Sequence, residues 1–293
     1  MAAGDLTETP LVAIVGPTAS GKTGLAIEIA KRFGGEIVCA DSRTIYKGMD
    51  IGTAKPTAAE RAEVPHWGLD LVEPGDRFTA ADFKEYAEQK ILEIRQRGHI
   101  PMLVGGTGLY IDSVLFDYQF PGPADMKLRA KLEKMSVEEL QEYCTKINVS
   151  LPRNATNRRH LVSAIERNGQ TPQMRSEPIS TSIIVGISTE KELLRQRIQD
   201  RAEQLFENGV VDEAISLGKK YGWDNEAMTG NIYRLVHEYI AGQVDDIQLI
   251  DKFTTSDWRL AKRQLTWLKR NRYIIWLPLD QARDYISGQL AEA

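Results

Sequence analysis

Cysteines and long apolar runs are scarce in this 293-residue sequence. The two cysteines, Cys39 and Cys144, are far apart and have no metal-ligand spacing, so we expect neither a disulfide framework nor a zinc site. No apolar stretch approaches the ~20 residues of a membrane span, which predicts no membrane contact. The first ten residues include Asp5 and Glu8 and no basic region, unlike a secretory signal peptide. A reducing cytoplasm is the simplest predicted location.

The sequence also has no excess of positive charge. Its 37 Lys and Arg residues face 41 Asp and Glu residues, which gives a net charge of −4. A protein that binds nucleic acid over its whole surface would be strongly basic, so we do not expect that class. Any contact with RNA must therefore come from local basic patches.

What the sequence does contain is a P-loop, Gly16-Pro17-Thr18-Ala19-Ser20-Gly21-Lys22-Thr23. An apolar run at 11–15 precedes it as a buried strand would, and a helical pattern from Thr23 to Phe33 follows. Strand, glycine loop and helix start place backbone N–H groups around a phosphate, Lys22 adds a charge, and the Thr23 hydroxyl can hold Mg²⁺. The candidate phosphate-binding residues are Gly16, Thr18, Ala19, Ser20, Gly21, Lys22 and Thr23.

Strand and helix patterns alternate along most of the chain, and this predicts an α/β fold with a doubly wound parallel sheet flanked by helices. Three further apolar runs have the strand pattern: 36–40, 100–104 and 182–187. From 118 to 179 the pattern changes to short polar helices and loops, which predicts a mainly helical insertion domain. The core is then 1–117 together with 180–293.

Local signals predict where two helices begin and where a long loop lies. Thr79 with Asp82, and Thr189 with Glu192, have the spacing of capping boxes. The stretch 41–75 is rich in Gly, Pro and Thr and is longer than a simple connection, which favours a functional loop.

Two candidate site residues follow predicted strands, where functional groups of parallel sheets gather. Asp41 ends the run 36–40. It could hold Mg²⁺ for phosphoryl transfer, act as a general base on a substrate beside the phosphate, or only cap the next turn. Thr107 lies in a glycine-rich turn that can approach a ligand closely, although a tight turn alone explains it equally well.

Arginines on the helix predicted from Thr189 form a candidate anion site. Arg197 and Arg201 are four residues apart, with Arg195 nearby. Like charges at this spacing repel unless an anion lies between them, so the pair suits a departing pyrophosphate. A solvated helix face is the alternative.

Two local basic clusters favour RNA. The first has no acidic residue, is interleaved with Trp258, Trp267 and Tyr273, and consists of Arg259, Lys262, Arg263, Lys269, Arg270 and Arg272. The second is Asn157-Arg158-Arg159-His160 in the insertion. Basic and aromatic side chains together are typical of RNA-binding surfaces, while either cluster alone could be a solvated helix.

Together these residues resemble the tRNA dimethylallyltransferase (tRNA isopentenyltransferase) family. Five segments in the family's order carry the resemblance: Gly16–Thr23, Asp41-Ser42-Arg43 with Ile45-Tyr46, Gly52-Thr53-Ala54-Lys55-Pro56, Val104-Gly105-Gly106-Thr107-Gly108-Leu109-Tyr110, and Ala261-Lys262-Arg263-Gln264-Leu265-Thr266-Trp267.

The resemblance implies transfer of a dimethylallyl group from dimethylallyl diphosphate to the exocyclic amine of an adenosine next to the tRNA anticodon. It implies that the P-loop holds the diphosphate, that Asp41 is the base, and that Thr107 helps to hold the adenine. Lys22, an arginine matching Arg201, and Mg²⁺ at Thr23 would stabilise the departing pyrophosphate.

The resemblance further implies that the insertion grips the anticodon stem-loop, and we expect a monomer. The residues implied at the tRNA are Asp41, Ser42, Arg43, Thr44, Thr107, Arg129, Asn157, Arg159, Arg234, Lys262 and Arg263. The chain departs from the family at Thr44, where glutamine is usual, and at His160 and Ser163, where arginines are common. Ile232-Tyr233-Arg234-Leu235 replaces the usual Gly-Tyr-Lys-Glu.

Three other functions remain open. An adenylate isopentenyltransferase shares the P-loop and the aspartate but modifies free nucleotides and has no need of an insertion that grips RNA. A P-loop small-molecule kinase would use ATP, with Asp41 on Mg²⁺. A non-catalytic RNA-binding protein descended from an enzyme would fit the altered RNA-reading positions.

Overall fold

A computed structural model describes residues 9–122, 125–170 and 173–292 of the chain. The predicted absence of a signal peptide rests largely on residues 1–8, which lie outside this part. Within it, no helix is long and apolar enough to cross a membrane.

Six strands form one parallel sheet in the described chain, in the order β3-β2-β4-β1-β5-β6. The strands are β1 Leu11–Val15, β2 Gly35–Ala40, β3 His66–Trp67, β4 Ile100–Gly105, β5 Ser182–Ile187 and β6 Ile275–Leu277. The central strand β1 lies between β4 and β5, with Ile14 opposite both Val104 and Val185. The carboxyl ends of β1, β2 and β4 therefore lie at one edge of the sheet, which brings together the segments that follow them.

Twelve α-helices and one 3₁₀ turn accompany these strands in residues 9–122, 125–170 and 173–292. The helices are α1 Lys22–Phe33, α2 Ala58–Glu63, α3 Ala80–Gln96, α4 Gly108–Leu115, α5 Met126–Leu132, α6 Val137–Lys146, α7 Arg158–Glu166, α8 Lys191–Glu207, α9 Val210–Tyr221, α10 Asn231–Ile240, α11 Asp246–Leu268 and α12 Leu279–Glu292. The 3₁₀ turn is Glu226–Thr229.

Alternation along the strands explains why the sheet is covered on both faces. Val12 and Ile14 pack with α1 and α12. Leu11 and Ala13, which alternate with them along β1, point to the other face and are equally buried. Helix α3 contacts β2 and β4. The predicted fold class, a doubly wound parallel sheet with flanking helices, is confirmed.

The chain divides into two compact units. The first comprises Met1–Leu115 with Glu177–Ala293, and the second is Phe116–Ser176. The second unit contains α5, α6 and α7 around a small core that includes Leu140 and Leu161. The insertion predicted at 118–179 begins two residues and ends three residues later than this unit.

Some local predictions are confirmed and others are wrong. Thr79 and Asp82 form the predicted capping box of α3. Thr189 does not cap α8, because that helix begins at Lys191 after Glu190 and has no side-chain cap. The stretch 41–75 is not all loop, since it contains α2 and β3. Two residues of edge strand are too short to leave a periodic signal.

A buried carboxylate ties together the amino ends of the sheet. Glu36 on β2 accepts hydrogen bonds from Arg97 at 2.7 and 2.9 Å, from Trp67 at 2.7 Å and from His99 at 2.6 Å. Burial opposes ionisation of Glu36, but the hydrogen bonds from Arg97, His99 and Trp67 outweigh it and lower the pKa to about 2. The ionised carboxylate therefore stabilises the fold.

We expect Glu36→Gln to lower the free energy of unfolding at pH 7 by about 3 kcal/mol, since the pKa falls from 4.5 to about 2 and one pKa unit corresponds to about 1.4 kcal/mol. The folded-state pKa is depressed, so this contribution is complete above the unfolded pKa near 4.5 and is lost as the pH falls towards 2. Urea unfolding at pH 7 and pH 3 measures it. Glu63→Gln, which removes an exposed ion pair with Lys31, is the control and should cost less than about 1 kcal/mol. A loss for Glu36→Gln that is equal at both pH values would contradict this account.

Candidate active site

The P-loop connects β1 to α1 and has a shape that depends on glycine. Gly21, the residue before α1, has φ 87°, a left-handed conformation that side chains disfavour. Gly16 donates its N–H to the Gly105 carbonyl at 3.3 Å, which ties the loop to the end of β4. Ser20 is fully buried, and its carbonyl accepts from Arg197 at 3.3 Å. Gly16 and Ser20 thus fix the shape of the loop through their contacts with Gly105 and Arg197.

Lys22 is the first residue of α1 and faces a cavity. Its ammonium donates to the Pro17 carbonyl at 3.1 Å. Burial lowers the pKa of Lys22 to about 8, the Asp41 carboxylate raises it, and Arg201 lowers it further. Lys22 therefore lacks a full counter-charge, and an incoming anion would restore its pKa.

Thr18 in the middle of the P-loop is held from two sides. Its N–H donates to Gln264 Oε1 on α11 at 2.8 Å, and its hydroxyl accepts a hydrogen bond from Arg201 Nη1 on α8. Arg201 in turn lies 3.4 Å from the buried carboxylate of Asp257 on α11. The loop and its nearest arginine are therefore positioned before any ligand binds.

Asp41 directly follows β2, and its carboxylate has one defined structural role. Its Oδ1 accepts from the Arg43 N–H at 2.8 Å, and its carbonyl accepts from the Thr44 hydroxyl at 3.4 Å. The turn-capping interpretation is thus correct for one oxygen. The same side chain lines the cavity with Lys22, so capping does not exclude chemistry.

Thr107 lies two residues after the end of β4 and is fixed beside Asp41. Its N–H donates to the Ala40 carbonyl at 3.2 Å, and its Oγ1 accepts from the Ser42 N–H at 3.0 Å. Adjacent parallel strands therefore present Asp41 and Thr107 side by side. Replacement of Thr107 would also disturb the turn that carries Asp41.

One cavity of about 460 Å³ in the first unit brings most of the predicted site together. The predicted residues that line it are Thr18, Ala19, Gly21, Lys22, Thr23, Asp41, Ser42, Arg43, Thr44, Thr107, Arg201 and Arg263. The buried thiol of Cys39 lines it too, but burial raises its pKa to about 12, so it is not a nucleophile at neutral pH.

Other predicted residues lie elsewhere. Lys262 lies in a separate groove of about 520 Å³ along α11, lined by Arg259, Lys262, Arg263, Thr266, Trp267 and Arg270. This groove contains part of the acid-free basic cluster predicted from the sequence. Arg234 on α10 is mostly exposed and lies 3.9 Å from Glu238.

The three predicted residues of the second unit have structural contacts there. Arg129 forms ion pairs with Glu133 at 2.9 Å and with Glu166 at 3.1 Å. Asn157 is the N-cap of α7 and accepts from the Arg159 N–H at 3.0 Å. These contacts fix the orientation of Arg129 and of the first turn of α7.

Four residues that shape the cavity have no role in the sequence-based prediction. Gln264 belongs to a segment that carries the resemblance, so its motif could have pointed to it. Asp257 and Glu213 have no local signal, because their partners lie far away in the chain. His66 on β3 lines the cavity, and its Nδ1 donates to the Val64 carbonyl at 2.8 Å.

Two family models match the chain. A family model described as IPP transferase matches residues 44–271, and one described as isopentenyl transferase matches residues 9–67. The tRNA dimethylallyltransferase of Bacillus velezensis is 38% identical over 290 residues, 94% of this chain and 92% of that protein. That of Desulforudis audaxviator is 38% identical over 287 residues, 93% of each.

Solved structures have the same fold. The tRNA isopentenylpyrophosphate transferase of Bacillus halodurans matches with a TM-score of 0.74 at 35% identity, over 97% of both chains. A eukaryotic dimethylallyltransferase acting on tRNA matches in fold, with a TM-score of 0.76 at 22% identity over 92% of this chain and 73% of that one. On these matches and the assembled motifs, the chain belongs to the tRNA dimethylallyltransferase family of prenyl-transferring enzymes.

Proposed function

We propose that this protein transfers a dimethylallyl group from dimethylallyl diphosphate to the exocyclic amine of an adenosine next to the anticodon of tRNA. The observation that carries the proposal is the shared cavity, in which the P-loop and Lys22 lie with Asp41 and Thr107. The P-loop part of the cavity suits a diphosphate. The part with the Asp41 carboxylate and the Thr107 hydroxyl suits an adenine, which carries hydrogen-bond donors and acceptors.

Asp41 acts on the acceptor. The adenine amine is a poor nucleophile, because its lone pair is delocalised into the ring. A carboxylate that accepts one of its protons as it attacks makes the attack feasible. The N–C bond forms, the C–O bond to the bridging oxygen breaks with its electron pair going to pyrophosphate, and the amine proton goes to Asp41. Thr107 orients the adenine, which must leave its stack in the RNA to reach the cavity.

The P-loop residues act on the leaving group. Negative charge builds up on the bridging oxygen as the C–O bond breaks, and donors fixed in advance stabilise it without reorganisation. Lys22, the loop N–H groups and Arg201 are these donors, and Asp257 and Gln264 hold them in place.

The donor set of this site suits a Mg²⁺ ion that the diphosphate itself helps to hold. The described residues contain no cluster of three acidic, histidine or cysteine side chains that could hold a metal. The Thr23 hydroxyl at the start of α1 lines the cavity, so Mg²⁺ would be held by Thr23 and by oxygens of the diphosphate. Its chemistry would be to neutralise charge on the leaving group.

The RNA would be bound by polar and basic side chains that, apart from Arg263, lie outside the cavity. We assign the anticodon stem-loop to Arg129, Asn157 and Arg159 of the second unit and to Lys262 and Arg263 on α11. Arg234, with its guanidinium mostly exposed, would add a phosphate contact. The protein would act as a monomer in the cytoplasm, where its tRNA substrate is found.

One experiment separates this function from its alternatives. Purified protein is incubated with dimethylallyl diphosphate and Mg²⁺, with unmodified tRNA or AMP as acceptor, and the products are analysed by mass spectrometry. We expect an added C5 prenyl group on adenosine of tRNA only. Prenylation of AMP alone would indicate an adenylate isopentenyltransferase, and ATP consumption without prenylation would indicate a kinase. RNA binding with neither reaction would indicate a non-catalytic protein.

Thr44→Gln is expected to lower the KM for tRNA by about threefold to tenfold, the worth of one added hydrogen bond. The short Thr44 side chain is buried, and its hydroxyl donates to the Asp41 carbonyl. Glutamine is longer and carries an amide that can both donate to and accept from a nucleobase. The KM for dimethylallyl diphosphate serves as the internal control and should not change. An unchanged or higher KM for tRNA would show that other residues already supply this contact.

A further inference from the structure

A carboxylate from α9 organises the loop that forms one wall of the cavity. Glu213 Oε2 accepts from the Asp50 N–H at 2.8 Å and from the Ile51 N–H at 2.7 Å. Its Oε1 accepts from the Gly52 N–H at 2.9 Å and from the Tyr233 hydroxyl at 2.8 Å. Three consecutive backbone N–H groups and one hydroxyl therefore converge on a single side chain.

Only a carboxylate can make this set of contacts. Both of its oxygens are acceptors with two lone-pair sites each, which matches four donors. Glutamine has the same shape, but in one orientation its NH₂ group would face the Asp50 and Ile51 N–H groups, and in the other it would face the Gly52 N–H. An amide at this position would therefore leave at least one backbone N–H group unpaired and repelled, since only the Tyr233 hydroxyl could turn to accept.

Tyr233 connects this carboxylate to the cavity. Its ring is buried, and both burial and Glu213 raise the pKa of its hydroxyl, so it remains a donor. A Cβ added to Gly52 would lie 2.6 Å from Tyr233 Cζ, so the loop lies directly on the ring. Gly52, Thr53, Ala54 and Tyr233 all line the cavity.

This wall differs in character from the P-loop. The P-loop side presents Lys22 and Arg201, the cations that suit a diphosphate. The wall that Glu213 supports consists of backbone, small residues and the Tyr233 ring, with Ile232 and Phe253 beside it. An uncharged planar base suits such a surface.

From this geometry we propose that Glu213 is a positioning residue for the acceptor base. Glu213 positions residues 52–54 and Tyr233, and the adenine lies against them. This inference rests on the proposed function. Glu213 contacts neither substrate and acts through the backbone of residues 50–52 and the Tyr233 hydroxyl.

The test compares Glu213→Gln with Asp212→Asn, which makes the same charge change at the neighbouring exposed position of α9. We expect Glu213→Gln to lower kcat/KM for tRNA by about 10- to 100-fold through misplacement of the base. The Kd for inorganic pyrophosphate, measured by calorimetry, should stay within about twofold. Tyr233→Phe, which removes one of the four donors, should have a smaller effect in the same direction, and Asp212→Asn should have none.

Two results would overturn the proposal. One is a kcat/KM for Glu213→Gln equal to that of Asp212→Asn. The other is a parallel loss of pyrophosphate affinity, tRNA turnover and thermal stability, which would show a general structural role. In both cases the wild type remains active and the proposed function stands. A wild type that prenylates no tRNA would overturn the function and this inference together.

Discussion

Asp41→Asn is expected to lower kcat for prenyl transfer by about 10²- to 10⁴-fold, the usual contribution of a general base. Asparagine keeps an acceptor for the Arg43 N–H, so the turn after β2 remains capped, but it cannot take a proton. Single-turnover kinetics with saturating dimethylallyl diphosphate measure the loss directly.

Asp41→Ala separates the two roles of this residue. It removes both the base and the cap, so it should abolish transfer and also destabilise the fold by about 0.5–2 kcal/mol, as the loss of a cap does. The Kd for tRNA should change little in both variants, because the proposed phosphate contacts lie elsewhere. Loss of tRNA binding while bound tRNA is still prenylated would show that Asp41 is a binding residue.

Arg201→Gln is expected to lower kcat/KM for dimethylallyl diphosphate by about 10²- to 10³-fold. Enzymes typically lose this much when one hydrogen-bond donor to the transition state is removed. Arg201 donates to the Thr18 hydroxyl and lies 3.4 Å from Asp257, so its guanidinium is fixed beside the P-loop. Its removal also leaves the buried Asp257 carboxylate near the diphosphate, where it would repel the anion.

Arg195→Gln is the matched control for Arg201→Gln. Arg195 is on the same helix but lies over the Trp258 ring at 4.8 Å and does not line the cavity. Steady-state kinetics with tRNA saturating should show no change in kcat/KM for dimethylallyl diphosphate. Equal losses in both variants would indicate a general effect of charge on α8.

The sequence is sufficient for those parts of the site that depend on local chemistry. The P-loop is one continuous segment with fixed spacing. Asp41 directly follows a recognisable strand, and Thr107 lies in the short turn after another. Since the carboxyl ends of adjacent parallel strands meet at one edge, their proximity follows from the fold class. The structure places both with Lys22 in one cavity.

The supporting contacts could not be predicted in this way. Gln264 meets Thr18, Asp257 meets Arg201, and Glu213 meets Gly52 only because the fold brings distant segments together. A buried carboxylate has no periodicity to identify it, and its partners are backbone N–H groups that every residue carries. The same limit explains α2 and β3, which are too short to stand out within 41–75.

The central claim is that the P-loop holds a diphosphate that leaves, and that no phosphoryl group is transferred. A heavy oxygen isotope placed in the bridging C–O–P position of dimethylallyl diphosphate tests this directly. If the C–O bond breaks, all of the label appears in released pyrophosphate, and the prenyl group is found on the adenosine amine. Label recovered in dimethylallyl alcohol, or phosphate transferred to an acceptor, would show that the P–O bond breaks and would contradict the account.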